Sequence, residues 1–152
     1  MSQELAKRIE PVDLERRDDG FRSVQQLSAN PHEEMTVTMQ RYFDWLQSTF
    51  RGVVAVTRDS AADSIVLFFA GAPAIRLQHR RSSVGRVEYA VMGGLLARRN
   101  GEFSFVRKQD GTTLAILDGF RPRLPEWLYA RTQGRIHALI MRRFSRALES
   151  AQ

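Results

Sequence analysis

Cysteine is absent from the 152 residues. That excludes disulfide frameworks, thiolate nucleophiles and cysteine-bearing metal sites. Histidine is scarce: His32, His79 and His137 fall in separate segments without metal-ligand spacing. The chain holds no GxSxG elbow, no P-loop and no dinucleotide fingerprint. The expectation is a protein with no metal and no cofactor. No stretch approaches the roughly 18 apolar residues of a membrane-spanning helix, and the longest apolar run, Ile65–Ala72, has the length of a buried strand. Residues Met1–Arg17 are charged throughout and hold no apolar core of the secretory type, which leads to the expectation of a cytoplasmic protein. Lysine is nearly absent too: Lys7 and Lys108 are the only two, and every other basic residue is arginine.

What remains is the balance of an ordinary globular domain, 43% hydrophobic and 26% charged, with length enough to bury a real core. The formal charge of +6 is unevenly spread. Met1–Phe50 holds six basic against nine acidic residues, whereas Arg51–Gln152 holds 17 against eight. Such an excess marks either a solvated exterior or a surface for nucleic acid or an anionic membrane.

Residues 1–20 are polar, dense in both charge signs, and read as a flexible lead-in to one domain over 21–150. Phe21, Val24 and Leu27 space a first strand. Asn30-Pro31, followed by Glu33, has the form of a capped helix start. Met35, Met39, Phe43, Leu46 and Phe50 continue that helix at three- and four-residue steps. The period then changes to two. Val53–Thr57, Ser64–Ala70, Ala74–Arg80, Val84–Arg98, Glu102–Lys108 and Thr112–Asp118 are six strand candidates. Asn100-Gly101 and Asp110-Gly111 are two-residue hairpin signals, so the strands form an antiparallel meander. One strand face gathers Ile65, Leu67, Phe69, Ile75, Leu77, Tyr89, Val91, Leu95, Phe103, Phe105, Leu114 and Ile116. The other is polar, the pattern of a sheet wet on one side. Pro125–Leu148 reads as one long helix whose stripe of Tyr129, Gln133, Ile136, Ile140, Phe144 and Ala147 covers the dry side. Its opposite sector carries Arg131, Arg135, Arg142 and Arg146.

The order of strand, helix, six antiparallel strands and long terminal helix resembles the START-like, or SRPBCC, helix-grip superfamily. Its members include polyketide cyclase-like proteins, plant pathogenesis-related ligand carriers and coenzyme Q-binding proteins. Leu114–Leu148 is also similar to the ending of uncharacterised bacterial members: a strand, Phe120-Arg121-Pro122, Leu124, then Trp127-Leu128-Tyr129 and Ile136-His137. The resemblance spans Phe21–Leu148. It departs after the first strand, where the family has two short helices and Asn30–Phe50 reads as one helix or an unresolved pair. It implies an α+β fold in which a curved antiparallel sheet of about six to seven strands grips the C-terminal helix around an apolar cavity.

On that reading the protein binds a hydrophobic or amphipathic small molecule, such as a lipid, polyketide or isoprenoid-like compound. Leu67, Phe69, Leu77, His79, Tyr89, Val91, Phe105, Leu114, Ile136 and Ile140 are the expected lining. The same aromatic and aliphatic residues also describe a fully packed core. A second reading is a cyclase- or hydrolase-type enzyme, with His79 as base, Tyr89 as oxyanion donor and Asp118 as orienter. A third assigns the Arg131, Arg135, Arg142 and Arg146 stripe to an anionic membrane surface or nucleic acid. A solvated helix face is the alternative there. Gly93-Gly94 inside a strand marks a sharp bend or room for a ligand.

Overall fold

The alternating segments pair into a meander, and the helical segments lie across one of its faces. A computed structural model of the protein describes residues 12–150. Eight strands form one open antiparallel sheet: β1 (Val12–Arg17), β2 (Gly20–Leu27), β3 (Val54–Asp59), β4 (Ser64–Phe69), β5 (Ala72–Ser83), β6 (Arg86–Gly93), β7 (Glu102–Arg107) and β8 (Thr113–Phe120). Their order in space is β1-β2-β8-β7-β6-β5-β4-β3. Three helices complete the described residues: α1 (Met35–Thr49), α2 (Glu126–Arg131) and α3 (Gln133–Ser150).

The α+β class, the antiparallel sheet and the C-terminal helix agree with the sequence reading; the strand count does not. Eight strands stand where six or seven were expected, because part of the polar lead-in is itself a strand. β1 turns through Asp18-Asp19 and pairs back on β2, with Arg17 opposite Gly20. An edge strand gains its stability from backbone pairing and needs few apolar residues. Here Leu14 packs on the core, while Glu15, Arg16 and Arg17 are exposed. The rest of the lead-in, 1–11, lies outside the described residues.

α1 begins later than its capping pattern implies. The Asn30 carboxamide oxygen accepts from the His32 amide at 2.9 Å, which makes a local turn rather than a helix cap. The helix starts at Met35, whose amide donates to the Val84 carbonyl at 3.2 Å. Met35, Met39, Tyr42, Phe43 and Leu46 then bury one stripe against the sheet.

Register decides which residues that stripe meets. Phe103 lies opposite Leu117 and Phe105 opposite Ala115, so these four share the helix-covered face. Ser104 lies opposite Ile116 and Val106 opposite Leu114. Leu114 and Ile116 therefore belong to the other face, where they form a second, small apolar cluster with Val24 and Val106. The sequence reading placed them one residue out of phase. Thr113–Leu117 is buried on both faces, so its run of apolar residues carries no alternation from which to read phase.

The strand expected over Val84–Arg98 ends at Gly93. Gly94 follows at φ +140°, and a Cβ there would overlap the Ala74 carbonyl. Only glycine lets the chain pass so close to β5. The amides of Leu95 and Leu96 donate to the carbonyls of Pro73 and Ala74 at 3.1 and 3.0 Å. Asn100-Gly101 closes this loop instead of making a two-residue hairpin. The Asn100 side chain donates to the Asp19 carbonyl at 2.9 Å and to the Gly119 carbonyl.

The expected single terminal helix is two. Thr132 breaks it, with φ −121° and ψ −83°, and its hydroxyl donates to the Leu128 carbonyl at 2.6 Å. A threonine bonded back onto the preceding turn is a known cause of helix bending. The break resets the helical phase by about one residue. The buried stripe of α3 becomes Ala138, Met141, Phe144 and Leu148, and Ile136 is left 54% exposed.

Candidate functional site

α1 covers β3, β5, β6 and β7, and α3 lies on β1 and β2. The helices meet through Phe144, whose ring lies 5.3 Å from Tyr42 and 5.4 Å from Trp45. Where they diverge, a cavity of about 80 Å³ remains against the sheet. Leu67, Ile75, Leu77, Val91, Leu117 and Phe120 supply strand-borne apolar walls, and Phe103 closes one side. Four polar side chains complete the lining: Tyr42 from α1, Tyr129 from α2, and Gln133 and His137 from α3.

Gln133 and His137 stand one helical turn apart and so project from the same side of α3. The Gln133 side-chain oxygen and the His137 Nε2 are both buried, and neither has a hydrogen-bond partner among the described residues. Buried polar atoms are nearly always paired, so two orphans lining one cavity need an explanation. Burial pushes the His137 imidazole down to about 4, from an ordinary 6.5, and so keeps it neutral. Burial also pushes the Tyr42 and Tyr129 hydroxyls well above the usual phenol range. Every polar group of the lining is therefore uncharged near neutral pH. Such a set suits hydrogen bonding to a neutral carbonyl, hydroxyl or amide. It is poorly matched to general-base catalysis, because an imidazole at about 4 has little proton affinity.

No protein-family model matches the chain, and no curated protein does. Among solved structures, a protein of Nitrosospira multiformis determined by a structural genomics consortium aligns with it at 10% identity and a TM-score of 0.44. The alignment covers 86% of this chain and 98% of that one.

Of the ten lining residues expected from sequence, Leu67, Leu77 and Val91 reach the cavity. Phe105 is wholly buried in the core and stacks on Phe144 at 6.3 Å. Ile140 packs half-buried against that core. Phe69 is 52% exposed at the end of β4, and Ile136 and Leu114 face elsewhere, as described above. His79 and Tyr89 lie on the helix-covered face but outside the cavity lining. Their rings are 5.4 Å apart, and Tyr89 sets its edge against Phe43 at 6.2 Å. The His79 partner is Asp63, at 2.7 Å from Nδ1, on the β4 side. Asp118 pairs across to Glu102 in register with Leu114 and Ile116, on the opposite face, so His79 and Asp118 are not brought together. Arg131, Arg135, Arg142 and Arg146 are all exposed on α2 and α3.

The expected ten did not include Tyr42, Ile75, Phe103, Leu117, Phe120, Tyr129, Gln133 or His137, which make up the rest of the lining. The signal for the last two was present: two polar residues four apart inside an otherwise apolar helical stripe.

Proposed function

We propose that the protein binds a small amphipathic molecule in the cavity between the sheet and the terminal helices. The unpartnered Gln133 oxygen and His137 Nε2 carry this reading, since a bound polar group would satisfy both. The strand order also supports the helix-grip resemblance. A helix and a six-stranded meander follow β2, β8 returns beside β2, and a helix closes the chain on the same face. Register shifts in the β1–β2, β2–β8, β4–β5 and β5–β6 pairs are the devices by which a sheet curls around such a helix.

At about 80 Å³ the cavity is far below the roughly 300–1,000 Å³ of drug-sized ligand sites. It holds the polar end of a ligand, and a longer apolar tail requires α3 to shift. The break at Thr132 is the place where α3 can swing independently of α2. The enzymatic alternative gains nothing here, because His79 and Asp63 stand apart from the cavity.

Native mass spectrometry of freshly purified protein, followed by thermal-shift screening of lipophiles with hydroxyl or carbonyl ends, tests the proposal. A ligand at a hundred times its Kd adds about 2.7 kcal/mol of stability. Val91→Phe fills the cavity and abolishes that gain, while His137→Phe removes the preference for polar-ended ligands. Protein that carries no passenger and responds to no member of the panel refutes it.

A further inference from the structure

A second, larger concavity of about 590 Å³ opens at the end of the sheet, beside the cavity and sharing Phe120 with it. It draws five arginines from three separate segments: Arg16 and Arg17 from β1, Arg98 from the β6–β7 loop, and Arg121 and Arg123 from the corner after β8. Among the described residues, the one acidic side chain in the lining is Asp18. We propose that this groove binds a small organic molecule through a phosphate group, independently of whether the inner cavity is filled.

The groove is built rather than incidental. Ala97 and Pro122 form a β-bridge, the Arg98 amide donates to the Arg121 carbonyl at 2.8 Å, and the Arg123 amide donates to the Leu96 carbonyl at 3.3 Å. The Asp19 carbonyl accepts from both Asn100 and Arg121 Nε, which ties the β1–β2 turn to the same frame. Arg121 and Arg123 are each held through Nε, to the carbonyls of Asp19 at 3.2 Å and Gly94 at 2.6 Å. This fixes the guanidinium planes and commits no terminal amino group to a carboxylate. Arg17, Arg98, Arg121 and Arg123 form no ion pair with a carboxylate among the described residues. Planar, tethered guanidiniums favour bidentate recognition of phosphate. Phe21, Phe120, Pro122 and Leu124 give the groove an apolar floor for the organic part. A concavity of small-molecule volume, rather than an extended basic stripe, favours a metabolite-sized ligand over a nucleic acid backbone.

The test is isothermal titration of the full chain with hexyl phosphate, inorganic phosphate, vesicles containing phosphatidylglycerol, and duplex DNA, across a salt series. Hexyl phosphate is expected to bind more tightly than inorganic phosphate, and to weaken as salt rises. Arg17 and Arg98 make no side-chain hydrogen bond among the described residues, so R17Q/R98Q leaves the frame intact and lowers affinity by about tenfold or more. R135Q/R146Q removes the same charge from α3 and leaves affinity unchanged. Equal loss in the two double variants overturns the proposal in favour of simple net charge. So does binding of vesicles or DNA without binding of hexyl phosphate, and so does no binding at all.

Discussion

Lowering the pH from 7 to 5 removes stability through one residue, His137. Its imidazole is held near 4 in the folded protein and returns to about 6.5 when the chain unfolds. Below 6.5 the unfolded chain takes up a proton that the folded chain refuses, so the stabilising contribution is complete above that value and is lost as pH falls. Each unit of difference is worth about 1.4 kcal/mol. Proton linkage then gives a loss of about 2 kcal/mol by pH 5 and about 3 kcal/mol by pH 4. Urea unfolding of the wild type and His137→Gln at matched pH values isolates the effect, since glutamine does not titrate and all other groups cancel in the difference. The wild type is expected to lose about 2 kcal/mol more than the variant between pH 7 and 5. Parallel stability curves would falsify the burial of a neutral imidazole beside the cavity.

Phe144→Ala is expected to cost about 3–5 kcal/mol in urea unfolding, because the ring is 1% exposed and joins both helices to Phe105. A cost below about 1 kcal/mol would mean that α3 is not docked there. Gly94→Ala is expected to destabilise by more than about 2 kcal/mol, since its Cβ would strike the Ala74 carbonyl; an unchanged Tm contradicts the close approach. Ala70 is exposed at φ +51°, so Ala70→Gly should raise stability by about 1 kcal/mol, read as an increase in Tm. His79→Asn should cost less than about 1 kcal/mol, because its Asp63 partner is largely exposed; a larger loss would give that pair a structural role it lacks here.

The elements of this fold were legible where one physical signal dominated. The Met35–Leu46 stripe and the strands around Leu67, Leu77 and Val91 follow from periodicity alone, because each has one wet and one dry face. Periodicity fails where that asymmetry is missing. β8 is dry on both sides, and β1 is an edge held by backbone pairing. Thr132 is ordinary by composition, yet it turns the following helix far enough to exchange Ile136 for His137 at the cavity. The arginine groove was hidden for a different reason. Arg17, Arg98 and Arg123 are separated by most of the chain; the bridge between Ala97 and Pro122 joins the last two segments, and the bonds of Asn100 and Arg121 to the Asp19 carbonyl bring in the first.

The adjacency of β2 and β8 also governs the order of events in folding. β2 finds no neighbour but β1 until residues 113–120 have been synthesised, and the Ser28 amide bonds to the Ser145 hydroxyl across 117 positions of sequence. Closing so long a loop is slow, so the β3–β8 meander has time to form before its last partner docks. During that interval the inner edge of β8 is an unpaired template. A chain halted at that stage would recruit the β2 segment of a neighbouring copy, making domain-swapped dimers its characteristic route to misassembly.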